Sequence, residues 1–219
     1  MNFAYIASLL PALMQGLGQT LKLFALTLVF SLPLGLVFTL GSISRVPPLR
    51  WLARGYIWVF RGTPLMLQLF FIYYGLPFIG LTFDRFPAAV LTFVLNYAAY
   101  FAEIYRAGIQ SIDRGQHEAA KTLGFTPWQT MRFIIIPQTI SRVIPPVCNE
   151  TITLVKDTAL VTAIGVGELL KAAQGAVNRD VNVTAYALAA LIYLLFTFVL
   201  TVVYERLEKR FSRHQKKEA

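Results

Sequence analysis

Four long apolar runs divide the chain and predict its main structural elements. A bilayer core of about 30 Å is crossed by roughly 20 mostly apolar residues in a helix. In a soluble core, apolar residues alternate with polar ones along a strand or recur on one face of a helix. These runs show neither pattern. They predict membrane-spanning helices at residues 21–41, 62–82, 86–106 and 184–205.

A fifth span is predicted at residues 132–155, although this stretch carries polar groups that include Arg142, Asn149 and Glu150. A helix in contact with lipid could not hold them, whereas one that faces the bundle interior or a watery cavity could. Residues 158–175 would then form a re-entrant or surface helix. The sequence therefore predicts an all-α integral membrane protein in which residues 1–219 form one domain.

Composition and charge agree with a membrane protein. Charged residues make up 14% of the chain, against about 25% in soluble domains, and the mean hydropathy is +0.58. The net charge of +9 does not indicate nucleic-acid binding, because the basic residues lie between the apolar runs and at the C-terminus. Their excess on one side of the predicted spans places the C-terminus in the cytoplasm and the N-terminus outside.

The sequence supplies no candidate for catalytic, metal or redox chemistry. It contains a single cysteine, Cys148, and two isolated histidines. It also lacks G-x-x-x-x-G-K-[ST], the loop that cradles the phosphates of ATP. We therefore predict no catalytic residue, no metal site and no cofactor bound by this chain.

A short polar segment, residues 113–124, interrupts the apolar pattern on the predicted cytoplasmic side. Helix-forming residues follow a possible cap at Asp113, and Gly124 stands where a helix-ending glycine belongs. A helix of two to three turns is too short to be stable alone in water, so it requires a packing partner. A solvated loop helix is the alternative interpretation of the same composition.

The spacing in and after this segment resembles the EAA loop of the membrane subunits of prokaryotic ABC importers. That family pattern is EAA, three residues, G, nine residues, I, one residue, LP. Here it is met, with isoleucine in place of the leucine, by Glu118, Ala119, Ala120, Gly124, Ile134, Ile136 and Pro137. Three further stretches, Arg61–Pro77, Ala98–Gly124 and Lys156–Leu169, are similar to the polar amino acid branch of these permeases, which includes histidine, glutamine and arginine importers.

The resemblance implies the type I importer fold and several partners. The segment around Glu118, Ala119, Ala120 and Gly124 would be the coupling helix that sits in a groove of a separate ABC ATPase dimer, where ATP and Mg bind. A second permease copy or a homologous permease, an extracytoplasmic amino acid-binding protein, membrane lipid and an amino acid substrate would complete the system. The expected location is the bacterial cytoplasmic (inner) membrane, with multiple passes.

Glu150 and Asp157 are the main candidates for substrate binding. Because they are seven residues apart, they lie on one face of a continuous helix, separated by about 20°. Acids at bilayer depth are functional candidates, and resemblance to arginine-type importers points to a bound basic amino acid. The predicted substrate is arginine, lysine, ornithine or histidine, with glutamine, glutamate or cystine as alternatives. Glu150 as a structural acid, and Asp157 paired with Lys156 or Arg142, are the competing interpretations.

Other polar side chains are weaker candidates. Arg61 could meet a substrate carboxylate or anchor at the headgroups, while Gln68 and Asn149 could bind substrate or join helices. Glu103 and Arg106 are spaced as an ion pair on one helix. A secondary transporter or passive channel is the alternative class, but we find no internal repeat and neither explains the EAA spacing.

Overall fold

The computed structural model describes residues 3–212, and every regular element in this range is a helix. The end of the basic tail, residues 213–219, which contributed to the predicted orientation, lies outside the described residues. We number the eight helices of the described range in chain order: α1 Phe3–Ser42, α2 Pro47–Gly62, α3 Leu65–Ile79, α4 Arg85–Gln110, α5 Arg114–Thr122, α6 Pro127–Ile164, α7 Leu169–Asp180 and α8 Thr184–Ser212.

Three of these helices, α1, α4 and α8, are each long and apolar enough to cross a membrane. The pair α2 and α3 and the pair α6 and α7 meet the same test only as bent units, with bends of 105° and 53°. Up to five crossings result when each bent pair is counted once. The predicted all-α membrane fold is thus confirmed, while the limits of the spans and their orientation stay predictions.

The helix limits depart from several of the predicted spans: a separate helix, α2, precedes the span predicted at residues 62–82, and α6 extends well beyond residues 132–155 at both ends. The first helix begins at Phe3 rather than at residue 21. The single helix predicted at residues 158–175 is wrong, because a 3-10 turn, Thr158–Ile164, continues α6 and a new helix begins only at Leu169. Gly165 ends the first piece with φ of +79°, a conformation that favours glycine. The side chain of Glu168 caps the second piece.

Helix α4 is the centre of the bundle and packs against α1, α2, α3 and α6. Its side chains Phe93, Tyr97 and Phe101 are fully buried and form one apolar cluster with residues that include Leu23 of α1 and Leu154 of α6. A second cluster joins the first half of α1 to α7 and the start of α8. The long helix α1 therefore connects both parts of the core.

Helix α8 presents a largely apolar surface to its surroundings. Leu191, Leu194, Leu195 and Phe198 are each at least 60% exposed in this single chain. An exposed apolar face of this extent suits contact with lipid or with another apolar helix, not with water. The position of α8 at the edge of the bundle agrees with a membrane-embedded domain.

The contact between α4 and α6 depends on a glycine. A Cβ added at Gly108 would lie 2.2 Å from Cγ1 of Val143, so the two helices approach at a point where no side chain fits on α4. Replacing Gly108 with alanine is expected to lower the free energy of unfolding by about 1–3 kcal/mol through overpacking. Thermal unfolding of the purified protein in detergent measures this loss.

Two further variants test the cause of that loss. Gly18→Ala, at an open position of α1, is expected to be neutral or slightly stabilising. Val143→Ala is expected to recover part of the stability when it is combined with Gly108→Ala. If Gly108→Ala were as stable as the parent protein, the close contact between α4 and α6 would be wrong.

Candidate functional site: a short polar helix and an acidic helix face

The short helix α5 begins and ends where the sequence predicts. The Asp113 carboxylate accepts a hydrogen bond of 2.6 Å from the backbone N–H of Gly115 and so caps the first turn. At the other end Gly124 has φ of +79°, and the N–H of Phe125 bonds back to the carbonyl of Ala120 at 3.0 Å. These local signals define a rigid helix of nine residues.

The EAA residues divide between the two sides of α5. Ala120 is buried at 1% exposure, because its small side chain lets the helix lie close to the rest of the chain. Glu118 and Ala119 are exposed. A partner would therefore meet Glu118 and Ala119 directly, while Ala120 holds the helix in place.

Two large apolar side chains beside α5 were not anticipated as functional. Leu123, at the end of the helix, is 75% exposed, and Trp128, in the first turn of α6, is 67% exposed. Exposed apolar groups next to a polar helix mark a protein contact surface. Their position within the EAA spacing is a signal that could have identified them. We call Glu118, Ala119, Leu123 and Trp128 the coupling surface.

Hydrogen bonds tie this region to α6. The amide of Gln138 donates to Gln116 of α5 at 3.3 Å, and the guanidinium of Arg142 donates to the Ser111 carbonyl and, at 3.0 Å, to its hydroxyl. Arg142 is therefore bound at the end of α4 and does not neutralise Asp157. A movement of α5 would be passed to α6 through these contacts.

The two acids on α6 lie on one face, as the spacing predicts. Glu150 and Asp157 are both half-buried. The buried hydroxyl of Tyr97 donates a hydrogen bond of 2.7 Å to Asp157, which orients that carboxylate. Asn149 is exposed on the neighbouring side of the helix. The two carboxyl groups lie two turns apart on this face of the helix, where they could meet a cationic group.

The guanidinium of Arg61 lies near a second acid. Its Nη1 is 3.7 Å from Oε1 of Glu103, and its guanidinium carbon is 5.5 Å from the centre of the Tyr100 ring. Arg106 binds the same carboxylate with two hydrogen bonds, of 2.9 and 2.5 Å, so the predicted pair between Glu103 and Arg106 is confirmed. Arg61, Glu103 and Arg106, together with Arg54, line a cavity of about 590 Å³ beside α2.

Gln68 takes part in a hydrogen-bond network that holds the sharp bend between α2 and α3. Its amide nitrogen donates to the carbonyl of Phe60 at 2.9 Å and to the hydroxyl of Thr63 at 2.8 Å. Its amide oxygen accepts from Asn96 of α4 at 2.9 Å. These contacts join helices, and substrate binding by Gln68, Asn149 and Arg61 stays a prediction.

Glu168 is a functional candidate that the sequence reasoning missed. It is fully buried, and its carboxylate accepts hydrogen bonds from the hydroxyls of Thr162 and Tyr193 at 2.5 and 2.7 Å. It also accepts from the backbone N–H groups of Leu170 and Lys171 at 2.8 and 2.6 Å. An acid just before an apolar helical run is a capping signal, but its contact with α8 could not be read from the sequence.

An all-helical membrane domain with a short helix just before its polar helix is the architecture of the permease subunit of an ABC type I importer. The chain belongs to the family of binding-protein-dependent transport system inner membrane components, whose model matches residues 31–213. It is a multi-pass membrane permease subunit, and the ATPase of such a transporter is a separate partner. The resemblance found in the EAA spacing is confirmed.

Several known permeases are similar to nearly the whole chain. The L-cystine transport system permease protein TcyB of Bacillus subtilis (strain 168) is 42% identical, covering 93% of this chain and 88% of its own. The arginine permease ArtQ of the same organism is 40% identical, and the match covers 96% of this chain and 98% of ArtQ. The glutamine permease GlnP of Escherichia coli (strain K12) is 37% identical, and the match covers 92% of this chain and 93% of GlnP.

Solved structures support the same fold. The crystal structure of an amino acid ABC transporter with histidines matches with a TM-score of 0.91 at 37% identity, covering 96% of this chain and 99% of that one. An inward-facing structure of the MetNI methionine ABC transporter matches with a TM-score of 0.70 at 20% identity, covering 97% of this chain and 100% of that one, which shows a shared fold alone.

Replacing Glu168 with alanine is expected to lower the free energy of unfolding by roughly 3 kcal/mol or more, because four donors, most of them partly buried, lose their acceptor. Glu168→Gln keeps one acceptor oxygen and should be less destabilising. Thermal unfolding in detergent measures both, with Glu118→Ala as the control, since that variant removes an exposed carboxylate and is expected to change stability by less than about 0.5 kcal/mol. Equal stability of the Glu168→Ala and Glu118→Ala variants would contradict the structural role of Glu168.

Proposed function

We propose that the chain forms the translocation pathway of an ATP-driven importer of basic amino acids, with arginine, lysine, ornithine or histidine as the substrate. The observation that carries the proposal is the pair of acids, Glu150 and Asp157, on one face of a helix inside the bundle. A half-buried carboxylate is costly unless a cation neutralises it. The similarity to an arginine permease supports the same choice.

Relatives of comparable sequence identity point to two alternative substrates. Similar chains include a cystine permease and a glutamine permease. Those substrates present an ammonium group that could also meet Glu150, but they bring no net positive charge. Cationic substrates are favoured here because two carboxylates, not one, lie on the same face of α6, two turns apart.

The residues of the site have different roles in substrate binding. The carboxylates of Glu150 and Asp157 would hold the cationic end of the substrate, and the Tyr97 hydroxyl keeps Asp157 in place through its 2.7 Å hydrogen bond. The substrate would replace the hydration that both acids lose within the bundle. Exposure of this position first to the outside and then to the cytoplasm would complete import.

The coupling surface would receive the driving motion. In this proposal α5 sits in a groove of the ABC ATPase dimer, which carries ATP and Mg, and a second permease copy or a homologous permease completes the membrane domain. An extracytoplasmic amino acid-binding protein delivers the substrate, and the complex lies in the bacterial inner membrane. The contacts of Gln138 and Arg142 would carry the motion of α5 to α6.

The glutamic acid at position 150 gives the direct test of the substrate class. In Glu150→Gln, the preference for L-arginine over L-glutamine is expected to fall by about tenfold or more, because one charge of the acidic pair is lost. Substrate-stimulated ATPase activity of the complete importer in liposomes measures this preference. Glu205→Gln makes the same chemical change at an exposed position of α8 and serves as the control. An unchanged preference in Glu150→Gln would reject the basic substrate.

The coupling surface has its own test. Leu123→Ser is expected to weaken binding of the purified ATPase to the permease in nanodiscs by about tenfold, as the loss of a central apolar contact does. Val46→Ser, an exposed apolar position in the turn before α2, should leave binding unchanged. Similar affinities for the two variants would place the ATPase contact elsewhere. Transport that proceeds without ATP would instead indicate a channel or a secondary transporter.

A further inference from the structure

A cavity of about 600 Å³ lies where α1, the start of α4 and the start of α7 meet. Two cations from different helices line it: Arg85, the first residue of α4, and Lys171, in the first turn of α7. Gln15 and Gln19 of α1 also line it, and their amides can donate or accept hydrogen bonds. We call this space the cationic cavity.

The cationic cavity has no acid of its own. No aspartate or glutamate of residues 3–212 lines it, and no ion pair within that range includes Arg85 or Lys171. Glu168 is fully buried, and its carboxylate already accepts four hydrogen bonds from hydroxyls and backbone N–H groups. Asp84, beside Arg85, is exposed and lies outside the lining. The two positive charges are therefore available to an anionic ligand.

Two glycines shape the wall of the cationic cavity. A Cβ added at Gly165 would lie 3.4 Å from Nη1 of Arg85, and one added at Gly16 would lie 2.9 Å from the carbonyl oxygen of Glu168. The guanidinium thus lies directly against the break between α6 and α7, and α1 approaches the same break closely. The fold holds Arg85 at the cavity wall.

A second cavity, of about 470 Å³, adjoins the first. Tyr73, Tyr74, Phe78 and Phe83 line it, and we call it the aromatic cavity. One hydrogen bond joins residues of the two cavities: Nε of Arg85 donates to the hydroxyl of Tyr73 at 3.3 Å. Phe78 is 90% exposed, so the aromatic cavity offers an open apolar surface directly beside a charged one.

The predicted spans place both cavities at one edge of the bilayer. The first predicted span begins at residue 21, next to Lys22, and α4 begins at Arg85 on the same predicted outer side. Nζ of Lys22 is 5.2 Å from the centre of the Phe86 ring, and Phe86 lines the cationic cavity, so a third cation is close by. Cations beside aromatic side chains at this depth match the headgroup layer of a membrane.

We propose that the two cavities together bind one anionic phospholipid of the outer leaflet. Arg85 and Lys171 hold its phosphate through charge-assisted hydrogen bonds. Gln15 and Gln19 bind the polar end of the headgroup, and the glycerol and the first part of the acyl chains cover the aromatic cavity. The bound lipid joins α4 to α7.

The adjacent charged and apolar surfaces determine the choice of ligand. A free phosphate would occupy the cationic cavity alone, whereas a phospholipid meets both surfaces. Phosphatidylglycerol has one net negative charge and hydroxyl groups that the two glutamines can bind. Phosphatidylcholine brings a quaternary ammonium, which Arg85 and Lys171 repel.

Loss of the two cations is the first test. In Arg85→Gln and in Lys171→Gln, the dissociation constant for phosphatidylglycerol is expected to rise by about fivefold, and by more in the double variant, because each removes a charge that faces the phosphate. Native mass spectrometry of the purified permease–ATPase complex in detergent, titrated with this lipid, measures the affinity. Arg179→Gln removes a cation from an exposed ion pair at the other end of α7 and should leave the affinity unchanged.

A substitution in the aromatic cavity distinguishes a lipid from a soluble anion. Phe78→Ser is expected to weaken phosphatidylglycerol binding by about fivefold, because it removes an apolar contact with the acyl chains. Binding of glycerol phosphate, which has no acyl chain, should not change. Val183→Ser, at an exposed apolar position in the turn before α8, serves as the control and should leave both ligands unaffected.

Thermal unfolding of each variant confirms that it is folded, and Arg85→Lys, which keeps the charge, should retain most of the affinity. Equal affinities for phosphatidylglycerol and phosphatidylcholine would overturn the inference, as would parent-like lipid binding by the double variant. Glycerol phosphate that binds as tightly as phosphatidylglycerol would indicate a site for soluble anions instead. A double variant that keeps its lipid affinity but no longer binds the extracytoplasmic binding protein would make the cavity a protein contact. None of these results depends on which amino acid is transported.

Discussion

A polar side chain inside an apolar bundle must find its partner within the protein, and the arrangement of this chain depends on that constraint. The partners come from different helices: Tyr97 of α4 binds Asp157 of α6, and Asn96 of α4 binds Gln68 of α3. Glu168 joins three segments through one carboxylate. Each such hydrogen bond helps to fix the rotation of one helix relative to the next. The hydrophobic effect has no direction and does not specify this rotation in the same way.

Helix α6 connects the two regions to which we assign function. Helix α6 runs without a break from Pro127, directly after the coupling surface, to Ile164, beyond the acids. A π-helical turn at Met131–Ile135 interrupts its regular hydrogen bonding near the coupling surface, and such turns often occur at functional sites. A displacement of α5 therefore reaches a helix that carries Glu150 and Asp157 as one body.

Sequence patterns predicted the features that depend on near neighbours along the chain. The limits of α5 follow from Asp113 and Gly124, and the common face of Glu150 and Asp157 follows from helical geometry. The break after Gly165 was missed, because hydropathy averages over a window and does not register one residue with positive φ.

Contacts between distant segments could not be predicted in this way. The pair of Arg61 with Glu103, and that of Glu168 with Tyr193, join residues far apart in sequence. Their formation depends on how the helices rotate and cross, which no local pattern specifies. The sequence showed that Arg61 and Glu103 were polar groups near a membrane, but it gave no means to choose their partners.

The first half of α1 packs against the last part of the chain. Leu9 and Leu13 are buried against α7 and the start of α8, and the Tyr5 hydroxyl donates a 3.0 Å hydrogen bond to Asp180. During synthesis these positions emerge first, yet their partners are made last. The inner face of the amino-terminal helix must therefore be covered by lipid or by a helper protein while the rest of the chain is made. It is buried within the domain only after the carboxy-terminal helices have been inserted.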